Sequence, residues 1–123
     1  METRAQNMQD LMRLPVFLLI LGADAWALML AVIPGVNLGH HGDVALHAFG
    51  TFVNAAGFAF VFGNPFGAAI ATLAFSGWIE LLQMCIPWRT ASMTDFYANV
   101  IGALGGATVA ALFQFGKMRV RSL

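Results

Sequence analysis

Polar side chains that could carry chemistry gather in one otherwise apolar segment, residues 78–102. The segment contains Glu80, Gln83, Arg89, Asp95 and Asn99. A carboxyl group in apolar surroundings can transfer protons, and a guanidinium can hold a carboxylate or phosphate group through two parallel hydrogen bonds. The segment therefore predicts a site for an anionic ligand at which a proton can be exchanged.

The spacing of the polar residues puts them in pairs, because residues three or four apart lie on the same face of a helix. Three pairs have this spacing: Asp43 with His47, Glu80 with Gln83, and Asp95 with Asn99. The candidate catalytic residues are His47 and Glu80, since imidazole and carboxyl groups are the usual proton carriers. The candidate substrate-binding residues are Asp43, Gln83, Arg89, Asp95 and Asn99.

Each candidate also has a purely structural interpretation. Glu80 can pair with Arg89 or form a neutral hydrogen bond between helices, and Arg89 can pair with Asp95 or extend to the membrane interface. A histidine in an apolar helix commonly donates a hydrogen bond to a neighbouring helix. Asp95 follows Ser92 and Thr94 before an apolar run, which fits a helix cap or first turn. The sequence leaves these alternatives open.

Neither a metal site nor a cofactor is predicted. His40, His41, Asp43 and His47 are residue types that bind zinc, but adjacent histidines match no standard ligand spacing. The stretch is more typical of a polar turn, with Asp43 near the positive end of the following helix. Asp24 lies in the middle of an apolar run and is a second-rank candidate for a proton relay or a buried pair.

The composition indicates a membrane protein. The chain has 123 residues, of which 59% are apolar and 10% are charged, whereas charged residues make up about 25% of a typical soluble domain. The formal net charge is zero, which gives no indication of a nucleic-acid partner. The single cysteine, Cys85, excludes an intramolecular disulfide.

Four apolar runs are long enough to cross a bilayer, which takes about 20 residues in a helix. Gly and Pro residues separate the runs, and none alternates with the period of two expected of strands. The sequence thus predicts an all-α membrane domain over residues 14–115, a bundle of four transmembrane helices at about 14–33, 44–62, 66–86 and 96–115. Gly102 and Gly106 have a spacing that lets helices pack closely, within the chain or in a homo-oligomer.

Basic residues predict the orientation of the bundle. Five of the six lysines and arginines lie in the terminal segments, residues 1–13 and 116–123, and the sixth is Arg89. Cytoplasmic loops carry the excess of positive charge, so we expect both termini in the cytoplasm and the protein in a bacterial inner membrane. A cleavable signal peptide is an alternative for the first run, but apolar residues continue from Trp26 to Ile33 and complete a span.

This orientation brings the polar pairs to one depth in the membrane. His47 on the second span, Glu80 on the third and Asp95 on the fourth all lie near the outward ends of their helices. Ionisable groups avoid lipid and face the bundle interior or a wet cavity. We therefore expect an outward-facing polar pocket lined by spans two, three and four, with Arg89 on the loop above it.

The segment from Glu80 onward resembles the signature of VanZ-like membrane proteins. The matching residues, in order, are Glu80, Gln83, Pro87, Arg89, Asp95, Asn99, Gly102 and Gly106. The upstream family element is matched by Asp43 and His47, with Val44 in place of a lysine. The resemblance covers about residues 43–113. It implies a small cell-envelope protein of a family named for low-level resistance to the glycopeptide antibiotic teicoplanin, but it supplies no reaction.

Three functions agree with these features, and the sequence does not decide whether the protein is an enzyme. The first is to bind or process an amphipathic anionic envelope substrate at the lipid bilayer, such as a lipid-linked precursor, a phospholipid or a glycopeptide-related molecule. The second is a non-enzymatic scaffold or partner-binding module whose polar residues only join helices. The third is a small transporter, which needs an oligomer because four spans leave little room for a pathway.

Overall fold

Four long α-helices make up most of the part of the chain that the structure describes. The computed structural model describes residues 2–34, 39–89 and 92–123. The helices are α1 (Glu2–Val32), α2 (Gly39–Phe62), α3 (Pro65–Met84) and α4 (Met93–Arg121). Each helix is long and apolar enough to cross a membrane, which confirms the prediction of an all-helical chain with four candidate spans.

The helices differ from the predicted spans mainly at their ends. α1 begins at Glu2, so the predicted N-terminal segment continues directly into the first span, and α4 continues to Arg121. The added residues are rich in Arg, Gln and Met, which have high helix propensity. The change from apolar to polar residues therefore marks the edge of a candidate span and not the end of a helix.

Local sequence signals start α3 and α4. Asn64 precedes α3, and its side-chain oxygen accepts a hydrogen bond from the backbone N–H of Gly67 at 3.0 Å. Ser92 caps α4 in the same way, accepting from the backbone N–H of Thr94 at 3.2 Å. These caps satisfy N–H groups that have no partner inside the helix. Asp95 lies in the first turn of α4, where the helix dipole favours a negative charge.

α2 and α4 form the closest helix pair because small residues lie between them. Gly102 and Gly106 are buried, and a Cβ at either position would overlap a backbone carbonyl oxygen of α2, that of Ala48 or Phe52. Ala103, between the two glycines, is fully buried. We call this contact the α2–α4 seam. The two glycines therefore pack within the chain, as short side chains do where helix backbones approach closely.

α1 packs against α2 and, more weakly, against α3. The side chain of Ile20, which is 6% exposed, lies over Gly57 of α2. Elsewhere the bundle presents large apolar side chains on its outside, among them Trp26, Phe49, Leu81 and Ile101. Soluble monomers rarely expose apolar surface on this scale, whereas a multi-pass membrane protein presents such a surface to lipid.

Candidate functional site

Four polar side chains from three helices meet inside the bundle. His47 of α2, Glu80 of α3, and Asp95 and Asn99 of α4 form what we call the polar cluster. His47 Nδ1 lies 3.1 Å from Asn99 Oδ1 and 3.8 Å from Glu80 Oε1. One ligand-type atom from each of His47, Glu80 and Asp95 lies within 4.8 Å of the other two. Residues as far as 52 positions apart in the chain are therefore neighbours in space.

The α2–α4 seam explains why His47 and Asn99 meet. Gly102 lies one turn after Asn99, and its lack of a side chain lets α4 approach the backbone of Ala48, the residue next to His47. Thr51, one turn further along α2, donates its hydroxyl to His47 O at 2.8 Å, so it brings no unpaired donor into the seam. A side chain at position 102 would push the helices apart and lengthen the hydrogen bond between them.

Glu80 and Asn99 are the buried members of the polar cluster, and His47 and Asp95 are half-buried. Glu80 is 9% exposed and Asn99 is 2% exposed. Among the described residues, Glu80 Oε1 has no hydrogen-bond partner. A buried carboxyl group without a hydrogen-bond partner is energetically costly, so Glu80 Oε1 is an atom of the polar cluster whose burial is not compensated.

A groove of about 550 Å³ runs beside the polar cluster along α1, α2 and α3, and we call it the α1 groove. At the end where α1 finishes and α2 begins, its polar lining residues are Asp43, His47, Arg89 and Asn99. Its middle is lined by Asp24, Asn54, Thr72 and Ser76. Its far end is apolar, with Val16, Leu19 and Ile20. The groove therefore changes from polar and charged to apolar along its length.

The position of the groove corrects one prediction. We expected a pocket between spans two, three and four, whereas the α1 groove lies between α1, α2 and α3. Among the described residues, α4 contributes Asn99 to the lining of the groove. The α2–α4 seam is too tightly packed to leave space, because glycines bring the backbones into contact there. α1 makes looser contacts with its neighbours and leaves the gap.

Arg89 caps the end of α1. Its Nη2 donates to Leu30 O and, at 3.3 Å, to Ile33 O. The neighbouring Trp88 Nε1 donates to Val32 O at 3.2 Å. The last carbonyl oxygens of a helix have no partner inside it, which is why they accept these bonds. Within the described residues Arg89 forms no salt bridge to the polar cluster, so the structure does not support that structural alternative for Arg89.

Sequence reasoning missed a polar contact in the middle of the groove. Asn54 Nδ2 donates to Asp24 Oδ1 at 2.6 Å and links α2 to α1. Asn54 Oδ1 and Thr72 Oγ1 are buried without partners in the described part of the chain. The signal was present, because Asn54 follows His47 by seven residues and Thr72 precedes Glu80 by eight. Each therefore shares a helix face with a member of the polar cluster.

Six of the seven predicted catalytic and binding residues fall into two groups. The polar cluster brings four of them together, and Asp43 and Arg89 lie along the neighbouring end of the α1 groove. Gln83 is buried near the same end of α3 but is not a groove-lining residue. His40 and His41, which were considered as zinc ligands, lie outside the side chains that the structure describes.

Comparisons with known proteins give no further guide to function. Neither a protein-family model, nor a curated protein, nor a solved structure matches the chain. The resemblance to VanZ-like proteins therefore remains a prediction from the motif of spaced polar and glycine residues. The geometry of the polar cluster and the α1 groove is the basis on which a function can be assigned.

Proposed function

We propose that the chain is a multi-pass protein of the cell-envelope membrane that binds an amphipathic anionic ligand in the α1 groove. The observation that carries this proposal is the groove itself, a space of about 550 Å³ with a cation at one end and apolar side chains at the other. Binding sites for small molecules have volumes of about 300–1,000 Å³. A lipid or a lipid-linked molecule has the matching pattern, because it joins an anionic head group to a hydrocarbon chain.

Arg89 supplies the positive charge for the anionic group. A guanidinium has five N–H donors, and the two on Nη2 point to the carbonyl oxygens of Leu30 and Ile33. The donors on Nε and Nη1 can then bind a phosphate or carboxylate in the groove. Because the end of α1 already holds the guanidinium in place, little additional ordering accompanies binding.

The distribution of basic residues supports an outward-facing site. Both termini, with five of the six basic residues, belong in the cytoplasm under the positive-inside rule. The polar end of the α1 groove then faces the outer side of a bacterial inner membrane. Because α1 packs only weakly against α3, a ligand from the outer leaflet can enter between these helices without leaving the bilayer.

The polar cluster would allow the site to process a ligand as well as bind it. His47 and Asn99 border the α1 groove, and His47 is 3.8 Å from the carboxyl group of Glu80. A head group held by Arg89 would lie at the same end as His47, which could act as a general acid or base with Glu80 behind it. Candidate substrates are lipid-linked precursors, phospholipids and glycopeptide-related molecules, the last through the VanZ resemblance.

Filling the groove tests the proposal. Gly50 lines the groove, and a Cβ at this position meets no atom within 4 Å, so Gly50→Leu adds volume without a clash at its root. Gly77 of α3 also has nothing within 4 Å but does not line the groove, which makes Gly77→Leu the matched control. The full chain is purified in detergent, and retained phosphatidylglycerol is measured by native mass spectrometry.

We expect Gly50→Leu to retain about tenfold less phosphatidylglycerol than Gly77→Leu, which corresponds to about 1.4 kcal/mol of binding free energy. Circular dichroism should show the same helix content in both variants. Equal retention of the lipid by the two variants would contradict binding in the α1 groove.

A second pair of variants separates head-group binding from a structural role of the arginine. Arg89→Gln removes two guanidinium hydrogen bonds to the end of α1 together with the charge, whereas Trp88→Phe removes one hydrogen bond there and no charge. If Arg89 binds the head group, only Arg89→Gln loses the preference for phosphatidylglycerol over phosphatidylcholine. Equal loss in both variants would favour the scaffold function, in which these two side chains only tie α1 to the loop after α3.

A further inference from the structure

The carboxyl group of Glu80 is short of a partner in a place where a cation would fit. Glu80 is 9% exposed, and within the described residues its buried Oε1 atom accepts no hydrogen bond. The nearby His47 Nδ1 is 3.8 Å away, beyond hydrogen-bond length. Leaving a buried carboxylate oxygen unpaired is energetically costly. A bound positive ion between these side chains would remove that cost.

The side chains around Glu80 form a set of metal donors. One ligand-type atom from each of His47, Glu80 and Asp95 lies within 4.8 Å of the other two. Asn99 Oδ1, at 3.1 Å from His47 Nδ1, adds a fourth donor. We infer that the polar cluster is a binding site for one divalent transition-metal ion, with one nitrogen and three oxygen ligands drawn from α2, α3 and α4.

The donor types select the class of metal. Imidazole suits Zn²⁺ and other divalent transition metals, whereas Mg²⁺ and Ca²⁺ prefer sites made of oxygen alone. Zn²⁺ is bound by histidine and carboxylate ligands, typically in tetrahedral geometry. Of the ions that fit, Zn²⁺ is therefore the appropriate probe.

The distances require only a small closure. Zinc binds nitrogen and oxygen ligands at about 2.0–2.2 Å, so ligand atoms of a tetrahedral site lie about 3.4 Å apart. The cluster shows 3.1 Å between His47 and Asn99, 3.8 Å between His47 and Glu80, and up to 4.8 Å within the set that includes Asp95. Side-chain rotations that shorten the longest separation by about 1.4 Å would complete the site. When the metal is bound, His47 must carry its proton on Nε2, so the hydrogen bond from Nδ1 to Asn99 Oδ1 is replaced by bonds from both atoms to the metal.

This metal site differs from the zinc interpretation of the sequence and goes beyond the proposed function. The sequence drew attention to His40, His41 and Asp43 with His47, whereas the cluster uses His47 with carboxylates of two other helices. Metal binding does not depend on a ligand in the α1 groove, so either proposal can fail alone. His47 and Asn99 belong to both, which would place the ion next to a bound head group.

Metal content of the full chain tests the inference. The chain is purified in detergent, incubated with Zn²⁺, freed of excess ion, and its zinc is measured by plasma mass spectrometry and by competition with a chromophoric chelator. We expect about one Zn²⁺ per chain. Glu80→Gln, His47→Gln and Asp95→Asn should each weaken binding by about 100-fold or more, since loss of even an outer-shell partner costs 10–100-fold.

Two controls locate the ion. Asp10→Asn removes an exposed carboxylate that pairs with Arg13, and the double variant His40→Gln/His41→Gln removes the histidines that the sequence suggested. Both should bind Zn²⁺ as the native chain does. Absence of stoichiometric zinc from the native chain, native affinity in the three cluster variants, or loss of zinc in the double variant would each overturn the inference.

If a cluster variant fails to fold, X-ray absorption at the zinc edge of the native chain identifies the types of atom that bind the ion. The proposed ligands predict one imidazole and a remainder of oxygen neighbours. Two or more imidazoles, or a sulfur neighbour from Cys85, would place the ion elsewhere and overturn the proposed site.

Discussion

Replacing Gly102 with alanine should destabilise the bundle, because the new Cβ would overlap Ala48 O and Thr51 Oγ1. The first of these atoms is backbone, so the two helices can relieve the overlap only by moving apart. Overpacking a well-packed core costs about 1–3 kcal/mol. The hydrogen bond between His47 and Asn99, one turn away, would lengthen at the same time. The higher helix propensity of alanine, about 0.8–1 kcal/mol, acts in the opposite direction.

Gly105→Ala is the matched control for this prediction. The position lies on the same helix, and a Cβ there would lie 3.3 Å from the ring of Phe52, a side chain that can rotate away. Both variants gain the same helix propensity, so the difference between them isolates the overlap with the backbone of α2. We expect Gly102→Ala to be about 1–3 kcal/mol less stable than Gly105→Ala.

The measurement is reversible unfolding in mixed micelles, with sodium dodecyl sulfate as denaturant and circular dichroism as readout. Gly106→Ala provides a second test of the seam, because its Cβ would overlap Phe52 O, and it should be destabilised like Gly102→Ala. Equal free energies of unfolding for Gly102→Ala and Gly105→Ala would refute the assignment of α2 as the helix that packs on this face of α4.

Three other features of the structure have measurable consequences. Asn54→Leu removes the donor to Asp24 Oδ1, so it should lower the free energy of unfolding by about 1–3 kcal/mol, and a double-mutant cycle should show a smaller loss in the Asp24→Leu background. Cys85 is exposed after α3, and the positive-inside rule predicts that this end of α3 faces outward. A membrane-impermeant maleimide should therefore label Cys85 on intact cells, whereas Gly116→Cys in a Cys85→Ser background should stay unlabelled. The opposite labelling pattern would contradict the predicted orientation, in which both termini lie in the cytoplasm. Asn64→Ala removes the cap of α3 and should lower the free energy of unfolding by about 1 kcal/mol, with Asn64→Ser close to the native value.

The number and places of the candidate spans could be predicted because apolar runs of about 20 residues, separated by Gly and Pro, have few alternative structures. The full helix lengths could not be predicted from the same signal. Around Arg13 and Lys117 the polarity of the chain changes while its helix propensity stays high. The approach of His47 to Asn99 could be predicted, since both lie near the N-terminal ends of α2 and α4, which run parallel because α3 reverses the chain between them.

The position of the groove could not be predicted, because the spacing of Gly102 and Gly106 indicates a close contact without identifying the partner helix. Because α2 packs against the glycines of α4, the open space of the bundle lies on the other side of α2, between α1, α2 and α3. Arg89 illustrates the same limit. Its residue type indicates that it can bind an anion. The carbonyl oxygens that accept its hydrogen bonds belong to Leu30 and Ile33, more than 50 positions away, and the sequence does not identify them.

The helix arrangement separates the part of the molecule that holds the polar cluster from the part that borders lipid. The α2–α4 seam fixes His47 against Asn99, and α3 brings Glu80 to the same point. α1 is tied to this unit by a side-chain bond in its middle and by donors at its end. A ligand in the α1 groove would contact α1 along its length and leave the seam unchanged, so its binding energy would act on the position of α1. The contacts that hold the polar cluster together are therefore separate from the contacts that a ligand in the α1 groove would change.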